Sequence, residues 1–274
     1  MNITITGNLG SGKSSVCKEL NKAGFTVVSA GDIFRQIAAE KGMTVIELNE
    51  AAKKDRKLDD MLDHRSTKLG KEMDHTVFDS RLAWHFVEES FKVFLLVETG
   101  EAARRVFDGA QRSAEDYQDI EQAKRGLEER AGLEQERFWK LYGIDYYDAS
   151  NYDLIIESTC ATPGQIAQEI QRNFQIYQKE RFTAKVELNL RCLHIENTVQ
   201  IDEAEKNQSL CADGTFDVVL QRGGYYLKEG QQRAADAIAE GRIFAEIKEI
   251  GLAREAREKN SGYMVDFSKS MRTS

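Results

Sequence analysis

The sequence predicts an α/β protein: a five-stranded parallel sheet with flanking helices, followed by a small α+β domain. Three observations predict it. A short β-branched run at the N-terminus, Asn2-Ile3-Thr4-Ile5-Thr6, passes through a glycine-rich loop into a helical pattern. Four more short apolar runs follow over about 180 residues, separated by segments of helical periodicity. Beyond Arg181 the pattern becomes half-exposed alternation and hairpin turns. Strands alternating with helices give a parallel sheet with right-handed crossovers. The change of character puts a boundary in the charged run Gln178-Lys179-Glu180-Arg181, dividing the chain into 1–181 and 182–274.

The elements follow in order. After the glycine loop, Ser15 to Ala23 places Val16, Leu20 and Ala23 on one helical face, and Gly24 stops the helix. Phe25 to Ser29 is a second strand, and Ala30-Gly31-Asp32 turns into a helix with Ile33, Phe34, Ile37 and Ala38 on one side. Thr44 caps a helix over Val45 to Lys54, with Glu47 as its capping-box partner. Leu58, Met61, Leu62 and Leu69 mark another helix. Thr76 to Asp79 is the third strand. Phe91 to Val97, almost wholly apolar, is a fourth strand buried on both faces. A helix begins at Ala102, and Ser113 to Tyr142 is long, charged and mostly helical. Tyr152 to Ile156 is the fifth strand. Thr162 then caps a helix with Pro163, the chain's one proline, at its first position, and this helix runs to about Glu180.

The loop after the first strand is Gly7-Asn8-Leu9-Gly10-Ser11-Gly12-Lys13-Ser14, followed by Ser15. It fits G-x-x-x-x-G-K-[ST] in the strand-to-helix context that the pattern requires. The glycines let backbone N–H groups converge on phosphate oxygens, and the helix N-terminus adds partial positive charge. The pattern assigns Lys13 to the β- and γ-phosphates of ATP and Ser14 to Mg²⁺.

Net charge is −8, which argues against broad, charge-driven nucleic-acid binding; the C-terminal module is the one place left for it. Cys17, Cys160, Cys192 and Cys211 are scattered and read as reduced thiols. His64, His75, His85 and His194 lack metal-ligand spacing. Met1 leads straight into a strand, with no signal peptide, and no apolar run has the length of a membrane span. A cytoplasmic protein is expected.

Ligands bind at the C-terminal ends of strands in such sheets. Ser29-Ala30-Gly31-Asp32-Ile33-Phe34-Arg35 follows the second strand and Asp79-Ser80-Arg81 the third. Both bring an arginine to the edge that carries the glycine loop. A guanidinium fork suits the phosphate of an acceptor monophosphate, and Asp79 can orient Mg²⁺-bound water. Arg104, Arg105, Arg112, Arg125, Arg130 and Arg137 lie on charged helical segments; one or two of them can close over the phosphates as a lid.

Residues 1 to about 180 resemble the cytidylate kinase family of the compact archaeal type. The matching residues are the loop Gly7 to Ser14, Ser29 to Arg35, Asp79-Ser80-Arg81-Leu82-Ala83-Trp84, Tyr142-Gly143-Ile144-Asp145 and Asn151-Tyr152-Asp153-Leu154. The resemblance implies transfer of the ATP γ-phosphoryl group to CMP or dCMP. It implies that Ser29, Gly31, Asp32, Arg35, Asp79 and Arg81 bind the acceptor, and that Arg130 and Arg137 are the lid arginines. Similar loops occur in dephospho-coenzyme A kinases, which rank second because they usually lack the Ser29 to Arg35 stretch.

In the C-terminal module, Val186 to Leu190 reads as a strand, Phe216 to Leu220 and Tyr225 to Leu227 as a hairpin, Ala234 to Glu240 as a helix ended by Gly241, and Ile243 to Ile250 as a strand. Residues from Arg254 onward are polar, apart from Tyr263-Met264-Val265. The stretch Tyr225 to Ala235 resembles the ParB/sulfiredoxin-like fold. There a Gly-x-x-Arg turn at a helix N-terminus binds a nucleotide phosphate or DNA-associated groups, which makes Glu229, Gly230 and Arg233 ligand candidates. A packing or regulatory module is the equal alternative. For the whole chain, the rival to a kinase is a nucleotide-sensing switch without fast turnover. The acceptor arginines Arg35 and Arg81 favour the kinase, since a switch needs no acceptor site.

Overall fold

The computed structural model describes residues 1–52, 57–109, 117–181, 185–190, 193–194, 216–221, 224–227 and 231–252. Its centre is β1 (Asn2–Gly7), buried along its whole length. Parallel neighbours lie on both sides, β3 (Thr76–Asp79) and β4 (Ser90–Leu96). β2 (Thr26–Ser29) pairs outside β3, and β5 (Leu154–Glu157) outside β4, again in parallel. The order β2-β3-β1-β4-β5 brings Gly7, Ser29, Asp79, Leu96 and Glu157 to one edge.

Helices cover both faces. On one, α1 (Lys13–Lys22) and α8 (Pro163–Glu180) lay Val16, Leu20, Ile166, Ile170 and Phe174 over Ile3, Ile5, Val93 and Leu154. α2 (Ala30–Glu40), α3 (Val45–Ala52) and α4 (Lys57–Glu72) build a separate cluster around Ile33, Ile37, Leu48 and Leu58. α6 (Thr99–Gly109) packs on α7 (Ile120–Tyr142) through Ala102, Ala103, Ala123, Leu127 and Ala131; their small side chains allow a close approach.

The C-terminal strands continue the same sheet. β6 (Lys185–Asn189) runs parallel to β5, and β10 (Phe244–Leu252) pairs antiparallel with β6. β8 (Phe216–Gln221), β9 (Gly224–Leu227) and the short β7 (Leu193–His194) complete ten strands, with α9 (Gln231–Ala239) before β10. One apolar cluster joins Phe94, Tyr147, Tyr152 and Ile155 to Val186, Leu188, Phe216, Val218 and Ala245. Among the described residues, no helix is long and apolar enough to cross a membrane.

Most boundaries agree with the sequence to within about two residues. Of the segment expected to be helical from Ser113, residues 113–116 lie outside the described residues; α7 starts at Ile120, where Asp119 caps it by accepting from the Gln122 N–H. α5 (Ala83–Phe86) and β7 were not anticipated; α5 has four residues and no side-chain cap. The expected sites Glu229 and Gly230, the end of the third helix at Lys54, the hairpin centre at 222–223 and everything from Arg254 onward lie outside the described residues.

Candidate active site

Why the chain turns sharply after β1 is visible at two glycines. A Cβ on Gly7 would stand 2.5 Å from the Leu95 carbonyl oxygen. Gly10 has φ +78°, and a Cβ there would meet Ala102 of α6 at 2.9 Å. The loop is thereby pressed between β4 and α6. α1 starts behind Gly12, and no side chain caps it. Its first N–H groups therefore remain open for an anion, in contrast to α2, α7 and α8, which are closed by Ser29, Asp119 and Thr162. The Ser11 hydroxyl is buried in this loop without a hydrogen-bond partner.

Lys13 and Ser14 open the helix. The Ser14 hydroxyl donates to Asp79 Oδ2 at 3.2 Å, across from the end of β3. Two hard oxygen donors side by side suit Mg²⁺, which takes its other ligands from water and phosphate. Among the described residues, no group of three or more His, Cys, Asp or Glu side chains is placed to hold a metal. Burial and the Arg81 guanidinium push the pKa of Lys13 down to about 7, against the pull of Asp79 and Glu134. Two cations are thus held side by side in a poorly solvated place, an arrangement that favours an incoming anion. Cys17, one turn further along α1, is buried, and burial pushes its thiol well up, so it is inert.

Arg81 is mostly buried, and its Nε donates to Glu134 Oε2 of α7 at 2.9 Å. Arg130, one turn earlier on α7, approaches the other oxygen of the same carboxylate at 3.4 Å. The structure therefore brings together Lys13, Ser14, Asp79, Arg81 and Arg130. Arg35 stands apart from this group. Its guanidinium bonds Asp32 at 2.6 Å beside Gly31, while Ser29 and Asp32 form the capping box of α2. Arg137 donates to Asp59 of α4 at 2.6 Å, and Tyr142 bonds Asp63 of α4 at 2.7 Å, so the end of α7 is tied to α4. Arg233 lies 4.4 Å over the ring of Phe216, against the interior of its own module.

Sequence reasoning missed two residues. Glu134 was one acid among many on a charged helix. Arg105 was one arginine in a run, yet it donates to the carbonyls of Ser158 at 2.9 Å, Thr159 at 2.8 Å and Ser11 at 3.4 Å, and pairs with Glu101. It ties the glycine loop to the loop after β5. Its place on α6, the helix that follows the fourth strand, was the only available signal. Beside it opens a cleft of about 580 Å³ lined by Gly10, Gly12, Arg104, Arg105, Thr159 and Pro163.

A glycine loop on an uncapped helix, with a lysine and a serine beside a strand-end aspartate, defines a P-loop phosphotransferase. Comparison with known proteins narrows the class. The chain belongs to the cytidylate kinase-like family, whose profile matches residues 2–160, and it is an ATP-dependent nucleoside monophosphate kinase. It is similar to the cytidylate kinase of Archaeoglobus fulgidus, 36% identical over 160 residues, which cover 58% of this chain and 86% of that one. It is also similar to the cytidylate kinase of Haloarcula marismortui, 38% identical over 161 residues, covering 58% and 81%. A crystal structure of an uncharacterized protein from Eubacterium ventriosum superposes with a TM-score of 0.50 at 15% identity, covering 64% of this chain and 98% of that one; the likeness is one of fold.

Proposed function

We propose that this kinase transfers the γ-phosphoryl group of ATP to CMP or dCMP, giving the diphosphate. The observation that carries the reading is the uncapped start of α1 at Lys13 and Ser14, with the Ser14 hydroxyl on Asp79 of β3 and Arg81 two residues beyond it within electrostatic reach of Lys13. Gly7, Gly10, Ser11, Gly12, Lys13, Ser14 and Ser15 receive the triphosphate. The cleft beside Arg105 receives the base of ATP. Ser14 and Asp79 would hold Mg²⁺, which would supply positive charge to neutralise the transferring phosphates. Arg81 holds the acceptor phosphate, Arg35 joins it when α2 closes with Ser29, Gly31 and Asp32, and Arg130 closes from α7. Phosphoryl transfer needs little covalent help, so positioning and charge neutralisation do the work. The two cytidylate kinases above support the choice of base.

The test is a screen of nucleoside monophosphates with ATP and Mg²⁺, reading ADP release. CMP and dCMP should be the best acceptors, and Lys13→Ala should abolish turnover with either. Arg81→Ala should raise the acceptor KM at least tenfold, as about 1.5–3 kcal/mol for a charged hydrogen bond requires, with a smaller effect on ATP. A different best acceptor overturns the choice of base. An equal loss of ATP affinity in Arg81→Ala reassigns that arginine.

For the remainder we propose a kinase unit over 1–181 and an appended packing module over 182–274, the stacking of Arg233 on Phe216 favouring packing over phosphate binding.

A further inference from the structure

One carboxylate engages two arginines at the acceptor end of the site. Glu134 offers Oε2 to Arg81 at 2.9 Å and Oε1 to Arg130 at 3.4 Å. The Arg81 side chain is only 18% exposed and that of Glu134 23%. A guanidinium that far from water needs an anion, because an unpaired buried charge is costly. Glu134 is that anion. A carboxylate resembles part of a phosphate: planar, anionic, with two oxygens spaced for a guanidinium fork. It differs in carrying one charge where a nucleoside monophosphate carries about two near neutral pH.

We propose that Glu134 is a positioning residue that stands in for the acceptor phosphate. It holds Arg81 and Arg130 in place while the site is empty and yields them when the acceptor arrives. This rests on the reading of Arg81 as an acceptor-phosphate residue. The local charges agree with an exchange. Lys13, Arg81 and Arg130 are three cations when the lysine is protonated, while Asp79 and Glu134 are two anions, so the group is one negative charge short of balance. An incoming dianion corrects this better than Glu134 alone, and the Lys13 ammonium, within the field of both, gains from it. The geometry of α7 fits as well. The helix is anchored on α6 through Ala123, Leu127 and Ala131, and on α4 through Arg137 and Tyr142. Glu134 lies between these anchors, so its side chain can withdraw while the helix keeps both attachments.

A self-occupied site binds its ligand with an affinity reduced in proportion to the fraction of molecules in which the site is free. Removing the charge of Glu134 should therefore tighten acceptor binding. In the full chain, Glu134→Gln should lower the acceptor KM by about three- to tenfold relative to the ATP KM, and CMP should raise the melting temperature more than in the parent. Glu134→Asp, which keeps the charge but withdraws it by one methylene, should fall between the two. The shift should vanish when Glu134→Gln is placed in an Arg81→Ala background, because the competitor then has nothing to vacate. A merely structural role would change the melting temperature without moving the ratio of the two KM values. An unchanged or raised acceptor KM in Glu134→Gln overturns the proposal, as does an effect that persists without Arg81. Should Glu134→Gln fail to fold, the same ratio is read in Glu134→Asp. The parent reading fails separately: Arg81→Ala alone would leave the acceptor KM unmoved.

Discussion

Lys13 is where proton chemistry and ligand chemistry meet. Its folded pKa, about 7, lies below the ordinary 10.5. The unfolded chain therefore binds the extra proton between those values, and the stability of the ligand-free protein rises with pH across that window. A triphosphate beside the ammonium reverses the shift. ATP binding at about pH 8 should thus take up a proton, approaching one per site, read by calorimetry in buffers of different ionisation enthalpy. Lys13→Ala should remove the uptake; uptake that persists in the variant would place the titrating group elsewhere. The Tyr146 and Tyr147 hydroxyls form a second residue-scale feature. Both are buried beside Arg81 and Glu134 without a well-formed hydrogen bond. If they turn toward each other, one proton still has no acceptor. Tyr146→Phe should therefore leave the ligand-free protein as stable as the parent or about 1 kcal/mol more so, by thermal melting. A clear loss would reveal a bonded hydroxyl. Lys13, Ser14, Asp79 and Arg81 were legible in the sequence because a short motif or a strand end carries each. Glu134 and Arg105 were not, since the partners that bring them to the site, Arg81 for one and Ser11 and Ser158 for the other, lie 53 or more residues away.

At the scale of elements, the tie between α7 and α4 has its own pH dependence. Asp63 accepts from the Tyr142 hydroxyl, yet burial pushes its pKa up to about 6, with Asp59 and Asp60 adding to the rise and Arg137 opposing it. A carboxyl with a raised folded pKa costs stability above that pKa, and the cost fades as pH falls through 6 toward the ordinary 3.8. Asp63→Asn keeps an acceptor for Tyr142 and removes the buried charge. The variant should melt higher than the parent near neutral pH, and the gain should shrink as pH approaches about 4. A lower melting temperature at neutral pH would show that the charged hydrogen bond outweighs burial. Helix starts were legible where the signal is local. Thr44 with Glu47, and Thr162 before Pro163, cap the helices the sequence assigned to them. α5 was not, because four residues carry no period, and the two residues of β7 carry none either.

The whole molecule raises the question of what the C-terminal strands do for the kinase. The ordered alternation of strands and helices made the first five strands legible, along with the edge where ligands bind. That β6 would lie against β5 was not legible, because an alternating strand does not announce its partner. Two observations pull in opposite directions. Among the described residues, those bonded around the glycine loop, from Gly7 to Thr159, precede the boundary, and 160 residues of this chain cover 86% of the Archaeoglobus enzyme. Yet β6 occupies the outer edge of β5, and Val186, Leu188 and Phe216 share a cluster with Phe94, Tyr147 and Tyr152. A chain cut after Glu180 would expose an unpaired strand edge and that apolar surface. The first observation predicts activity without the module, and the second predicts a loss of stability. The truncated chain should keep phosphoryl transfer to its acceptor while melting lower than the full chain and associating at high concentration, as followed by ADP release, thermal melting and sedimentation. Unchanged melting would make the module an independent unit. Lost turnover in a truncated chain that still melts cooperatively would mean that the module orders the site itself, through Tyr147 and its neighbour Arg81.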